Sequence, residues 1–163
     1  MFILMNKIYI FIFSMALFSI ACNTSQRDDL FIIPQPKESE ILNSYFNLDN
    51  FYIYADNNSI SVAKLLVLEL KKLDYSTDSI RSFNDPISDY SINLLIDSTI
   101  NEHSEYYDLV IDKNFILIKG SDREGLIHGI YSLIQLIPRS SGINDSKLAC
   151  LKINDYPKFK WRG

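Results

Sequence analysis

The chain has 163 residues, 47% of them apolar, with only 5 Gly and 5 Pro, enough for one ordinary core and no second domain once a leader is set aside. Its formal charge of −4 and pI near 5.1, with Lys and Arg scattered, supply no basic stripe for counterion release. Nucleic acid is therefore disfavoured as a partner.

Residues 1–21 read as a targeting segment. Lys7 precedes an apolar run, Ile8 to Ile20, that fits a signal-peptide core and falls short of the ~20 residues a membrane-spanning helix needs. Met5 is an alternative start, placing Asn6-Lys7 directly after the initiator. The run closes in Ser19-Ile20-Ala21-Cys22, which resembles a bacterial lipobox, although Ser19 replaces the usual Leu. This predicts lipidation of Cys22 and a protein held at the membrane of the bacterial cell envelope by its lipid, periplasmic or surface-exposed. The competing reading is an ordinary secretory leader cleaved near Ala21. With Cys22 lipidated, Cys150 is the remaining thiol and no intramolecular disulfide can form.

Residues 22–30 are polar and aperiodic, as expected of a tether, and the folded domain is expected over 31–153. Phe51 to Tyr54 reads as a strand. A helix follows over 59–74, because Ile60, Ala63, Leu66, Val67, Leu70 and Leu73 recur at three- and four-residue steps while Lys64, Lys71 and Lys72 avoid that stripe. Asn58 or Ser59 would cap it. Residues 75–90, rich in Ser, Asp, Asn and Pro, read as a surface loop.

Ser91 to Asp97 forms the next predicted strand. Tyr106 to Ile111 and Phe115 to Lys119 form two more, joined by Asp112-Lys113-Asn114, where Asp and Asn tolerate positive φ and allow a tight hairpin. A second helix opens at Ser121, with Ser121 and Glu124 as a Ser-x-x-Glu capping box, and Pro138 stops it. Gly125 and Gly129 share one face at four-residue spacing and read as points of close approach to a sheet. After a loop over 139–146, Lys147 to Ile153 alternates as a strand, with Leu148, Cys150 and Lys152 on one face and Cys150 a small buried hydrophobe. The order predicts an α+β fold: a mixed, largely antiparallel sheet of five or more strands with two helices packed on one face.

No self-contained active site emerges from these elements. Asp108 and Asp112 lie on one strand ~13 Å apart, beyond the ~5–9.5 Å of glycosidase carboxylate pairs. Glu102-His103-Ser104-Glu105 clusters acid and imidazole, but neighbouring loop side chains rarely converge on one ion, and a catalytic zinc wants three ligands in fixed geometry. Glu124 and His128 are spaced for an i,i+4 contact and are not part of a His-Glu-x-x-His pattern. Gly120 to Gly125 has phosphate-loop glycine spacing, yet Leu126-Ile127 stands where Lys and Ser/Thr would be required. No Gly-x-Ser-x-Gly elbow occurs. Catalytic residues, metal and cofactor are all expected to be none.

The final nine residues, Asp155-Tyr-Pro-Lys-Phe-Lys-Trp-Arg-Gly163, resemble the entry to the catalytic (β/α)8 barrel of family 20 glycoside hydrolases, the β-N-acetylhexosaminidases. Ile33-Pro34-Gln35-Pro36 resembles the opening of their N-terminal α/β domain, and Glu124-Gly125 through Tyr131, Leu133 and Gln135-Leu136 resembles its second helix. Ser132, Lys158 and Ser44 depart from the residues more usual in the family, the last just before a Phe46-Asn47-Leu48 strand. The resemblance implies the non-catalytic N-terminal domain, with residues 154–163 as linker and first barrel residues. The partner would be the absent C-terminal barrel, whose Asp-Glu pair would act on N-acetylhexosamine glycans, and Arg162 would match the arginine that binds sugar hydroxyls. The alternative is a stand-alone envelope lipoprotein that binds glycan or a protein partner through its aromatics, 13% of the chain. Similar domains also precede barrels in other glycosidase families.

Overall fold

The computed structural model of the chain describes residues 30, 32–75, 79–84, 89–138 and 146–157. The predicted leader, the predicted lipidation site Cys22 and residues 158–163 with Arg162 lie outside them. In chain order the elements are β1 (Glu38–Asn47), β2 (Tyr52–Ala55), α1 (Ile60–Lys72), β3 (Ile80–Ser82), β4 (Ser91–Ile96), β5 (Tyr107–Ile111), β6 (Phe115–Gly120), α2 (Arg123–Leu136) and β7 (Lys147–Asp155).

The strands form one seven-stranded sheet in the order β1-β7-β5-β6-β4-β2-β3. Its β3-β2-β4-β6 side is parallel and its β6-β5-β7-β1 side antiparallel, and the antiparallel pairings hold more of the registered residue pairs. Both β6 and β7 run antiparallel to β5, so α2 is the crossover between two parallel strands and passes over the strand between them. The two helices touch each other, α1 over β2 and β3, α2 over β4, β5 and β6. The expected α+β layer with both helices on one face is what forms.

Register explains the core. Ile53, Ile92, Ile116, Ile111 and Leu151 are successive cross-strand partners, and Ala55, Leu94, Ile118, Leu109 and Ile153 make the adjacent row. None of these side chains is more than 1% exposed. Each large one contributes about 1.5–3 kcal/mol by leaving water. Helix α1 adds Val62, Ala63, Leu66 and Leu70, and α2 adds Leu126, Ile130 and Leu133. Ile60, predicted to face inward, is 39% exposed, because at the first helical position it precedes the buried stripe that Val62 begins.

Several local expectations are corrected. Residues 80–82, read as loop, form the edge strand β3, a three-residue element too short to show any period and held by main-chain pairing to β2. Strand β1 starts well before Phe46, at Glu38, and ends at Asn47. Ser59 does occupy the N-cap of α1, but its buried Oγ makes no hydrogen bond; the Asp56 side chain accepts from the Ser59 amide instead, at 2.9 Å. The cap of α2 is Asp122, accepting from Gly125 N at 2.7 Å, and not Ser121. The β5–β6 hairpin is closed by an Asx-type bond, Asn114 N to Asp112 Oδ1 at 3.2 Å, and neither residue has positive φ.

In β7 burial runs Leu148, Cys150, Leu151, Ile153, so the predicted alternation slips after Cys150, and Lys152 is exposed while Cys150 is fully buried. The slip lies opposite an irregularity in β1 between Ile41 and Tyr45. Extra residues there bend the strand and change which face its neighbour presents.

The glycines of α2 are points of contact. A Cβ on Gly125 would sit 2.2 Å from the Tyr106 carbonyl oxygen, and one on Gly129 would sit 2.5 Å from Ile118 Cγ2. Helix propensity alone would make Gly125→Ala stabilising by about 1 kcal/mol; the backbone collision is expected to outweigh it and destabilise by about 2–3 kcal/mol. Gly129→Ala, which meets side chains that can shift, is expected to cost less. Denaturant midpoints at unchanged m-value check the order.

Candidate interaction site at the domain exit

The junction between β6 and α2 organises the loop that precedes β5. Ser121 N donates to Tyr106 O at 2.9 Å, Tyr106 N donates to Ser121 Oγ at 3.1 Å, and Ser121 Oγ donates to His103 O at 2.9 Å. Asp122 caps α2 with one oxygen and accepts from Glu105 N at 2.8 Å with the other. The carboxylate that satisfies a helix terminus thus also pins the loop, and Glu105 adopts φ 58 there. Its side chain is thereby aimed at α2.

Glu105 Oε2 lies 3.0 Å from His128 Nε2, each side chain 31% exposed. His128 therefore pairs across the loop and not with Glu124, which lies beside Arg123 at 3.7 Å. One turn further along α2, Ser132 Oγ and Tyr107 OH are 2.7 Å apart and buried. Gln135 Oε1 accepts from Ile33 N at 2.9 Å, tying the entering chain to the helix.

The leaving chain is held at the same place. Lys37 N donates to Asp155 Oδ1 at 3.3 Å, and Lys37 Nζ stands 3.2 Å from the centroid of the Tyr156 ring. The His103 ring stacks on Tyr156 at 4.0 Å with planes 9° apart. Two groups that close cannot share one face, so the Tyr156 ring is sandwiched between an ammonium and an imidazole. Cation–π attraction and stacking together fix the direction in which the chain leaves the domain.

Between these parts lies a cavity of about 200 Å³, lined on one side by Tyr107, His128, Tyr131, Ser132 and Gln135. Its other side is Ile33, Pro34, Glu105 and the exit residues Asp155, Tyr156 and Pro157. Ile33 and Tyr131 are 84% and 44% exposed, an apolar collar on a polar floor.

The remaining sequence candidates do not converge. Asp108 accepts from the Tyr106 hydroxyl, Asn154 Nδ2 donates to that hydroxyl at 3.2 Å, and Asp112 serves its turn. Of the acidic loop, His103 faces Tyr156 while Glu105 faces His128. Among the described residues no group of three His, Cys, Asp or Glu is arranged to hold a metal ion. Sequence reasoning missed Lys37, Tyr156 and the Tyr107–Ser132 pair, whose partners lie far apart in the chain. Only the recognised ends of the domain, Ile33-Pro34 and Asp155 to Pro157, pointed towards the site.

The sequence pattern described as glycosyl hydrolase family 20, domain 2, matches residues 29–156, the whole of this layer. The chain belongs to that family. It is 24% identical over 157 residues to beta-hexosaminidase subunit A2 of Dictyostelium discoideum, covering 93% of this chain and 29% of that protein. The fold is shared with the N-acetyl-β-hexosaminidase of Streptomyces plicatus, with TM-score 0.68, 21% identity, and coverage of 80% of this chain and 27% of that one. It is shared also with the β-N-acetylhexosaminidase of Bacteroides fragilis, with TM-score 0.63, 22% identity, and coverage of 80% and 25%. The chain therefore spans less than a third of the length of each of these three proteins.

The hydroxyl of Tyr106, 7% exposed, has its titration pushed far from its ordinary range. Burial, and then the Asp108 carboxylate that accepts its hydrogen bond, raise the phenol to about 12. With the folded value above the unfolded one, its stabilising contribution is whole below pH ~10 and is lost as pH rises through about 12. Ultraviolet titration is expected to show a late tyrosine step that Asp108→Asn brings to lower pH.

Proposed function

We propose that this chain is the non-catalytic N-terminal domain of a lipid-anchored bacterial β-N-acetylhexosaminidase and is inactive by itself. The observation that carries the reading is the family 20 domain 2 pattern spanning residues 29–156, in a chain whose next residues, 158–163, resemble a barrel entry. In this reading a following (β/α)8 barrel is the partner and supplies the Asp-Glu pair. Glu serves as general acid/base, and Asp orients a 2-acetamido group whose carbonyl attacks the anomeric carbon. Arg162 would join that site, where a planar guanidinium suits vicinal hydroxyls. Cys22, after removal of residues 1–21, would carry the lipid and place the enzyme in the cell envelope.

The domain's own chemistry fits a supporting role. Asp122 and Asp108 are each engaged in structural hydrogen bonds, and Glu105 is paired with His128. Glu105 and Asp155 both line the exit cavity, but each is tied to a partner of its own, His128 and the Lys37 amide. Purified chain is expected to release no p-nitrophenol from a β-GlcNAc chromogenic substrate. Turnover that a substitution among residues 30–157 abolishes would overturn the inactivity.

A second reading, glycan binding by the isolated domain, has one observation in its favour. Tyr52 and Phe115, 41% and 38% exposed, flank the small Ser91 in one cross-strand row on the face away from the helices. Saturable heat on calorimetric titration with N-acetylglucosamine oligomers would favour this reading; no heat favours the accessory domain.

A further inference from the structure

We propose that the cavity at the exit is the seat for a cationic side chain, an arginine or a lysine, presented by the folded domain that follows Pro157. The inference rests on the accessory-domain reading and names the contact through which that partner engages.

Position points to the occupant. Pro157 lines the cavity, so whatever folds next begins at its rim. Attachment at so short a distance gives an effective concentration of order mM or more, which keeps filled a contact whose intrinsic affinity is only modest. Sandwiching of Tyr156 by Lys37 and His103 holds the rim in one geometry, and a preorganised seat loses little entropy on being filled.

The lining specifies the chemistry. The Tyr107 and Ser132 hydroxyls bond to each other, and Gln135 Oε1 is taken by Ile33 N. His128 Nε2 takes Glu105 Oε2, and Lys37 N takes Asp155 Oδ1. Glu105 Oε1 and Asp155 Oδ2 make no hydrogen bond among the described residues. The charged part of the lining is thus two carboxylates, each with one oxygen left over, and one histidine, beside the Tyr131 and Tyr156 hydroxyls and the Gln135 amide. An acidic side chain entering here would be repelled by the carboxylates and a neutral one would donate to them without opposing their charge, whereas an ammonium or guanidinium supplies both several donors and the opposite charge. Ile33, Pro34 and Tyr131 offer apolar surface for the aliphatic stem such side chains carry. Guanidinium is the better match, because its separated donors can reach two carboxylates while its plane lies against an aromatic ring.

The test uses the purified chain and two small probes, butylguanidinium and its neutral counterpart butylurea, followed by NMR. Butylguanidinium is expected to shift the amides of Tyr131, Ser132 and Gln135 saturably, with butylurea at least ten-fold weaker. Glu105→Gln and Asp155→Asn should each weaken butylguanidinium at least five-fold, while Asp108→Asn leaves it unchanged. Two substitutions from different elements guard against one of them merely disturbing the fold. Equal binding of the two probes, binding indifferent to both substitutions, or no saturable shift would overturn the seat. The accessory-domain reading fails by a separate result, glycosidase turnover by the chain itself.

Discussion

The close approach of α2 to β5 is the constraint on which the rest of this domain depends. At Gly125 the helix lies against the Tyr106 carbonyl with no room for a side chain, and at Gly129 it lies against Ile118 and Tyr107. Such proximity lets Ser121 and Asp122, at the helix entrance, reach the main chain of the preceding loop. The loop then has no freedom to place His103 and Glu105 elsewhere. One steric allowance in a helix is transmitted, through hydrogen bonds between the Ser121 and Asp122 side chains and the loop's main chain, to the side chains that grip the exit and line the cavity.

The sheet divides its labour along the same line. Its helix-covered face is an uninterrupted apolar ladder across five strands, which makes the layer rigid enough to hold a joint. The opposite face mixes Tyr52, Val110 and Leu117 with the Lys152–Glu40 ion pair, exposed on both partners and so of small energetic weight. Entering and leaving segments meet at one edge, where Ile33 bonds to Gln135 and Lys37 to Asp155. A domain whose ends are tied together beside an open cavity is well arranged to meet a neighbour there.

How much of this was legible depends on distance along the chain. Helix α1, the β5–β6 hairpin and the packing glycines of α2 follow from patterns within a dozen residues, where periodicity and turn chemistry act. Edge strand β3 did not, since three residues carry no period and its pairing with β2 is made by backbone atoms that every residue shares. The slip in β7 after Cys150 was equally hidden, because its cause is an irregularity in β1, about a hundred residues earlier.

Local sequence determined both helices, the central strands, their apolar stripes and, through the motif at Asp155 to Gly163 and the pattern of α2, the family. Tertiary structure alone decided the partners: that His128 meets Glu105 and not Glu124, that Asp122 and not Ser121 caps α2, and that Tyr156 is held between Lys37 and His103. The reason is physical. Periodicity constrains which way a side chain faces, but a hydrogen bond or a ring stack needs two groups within a few ångströms, and only the packed backbone sets that separation.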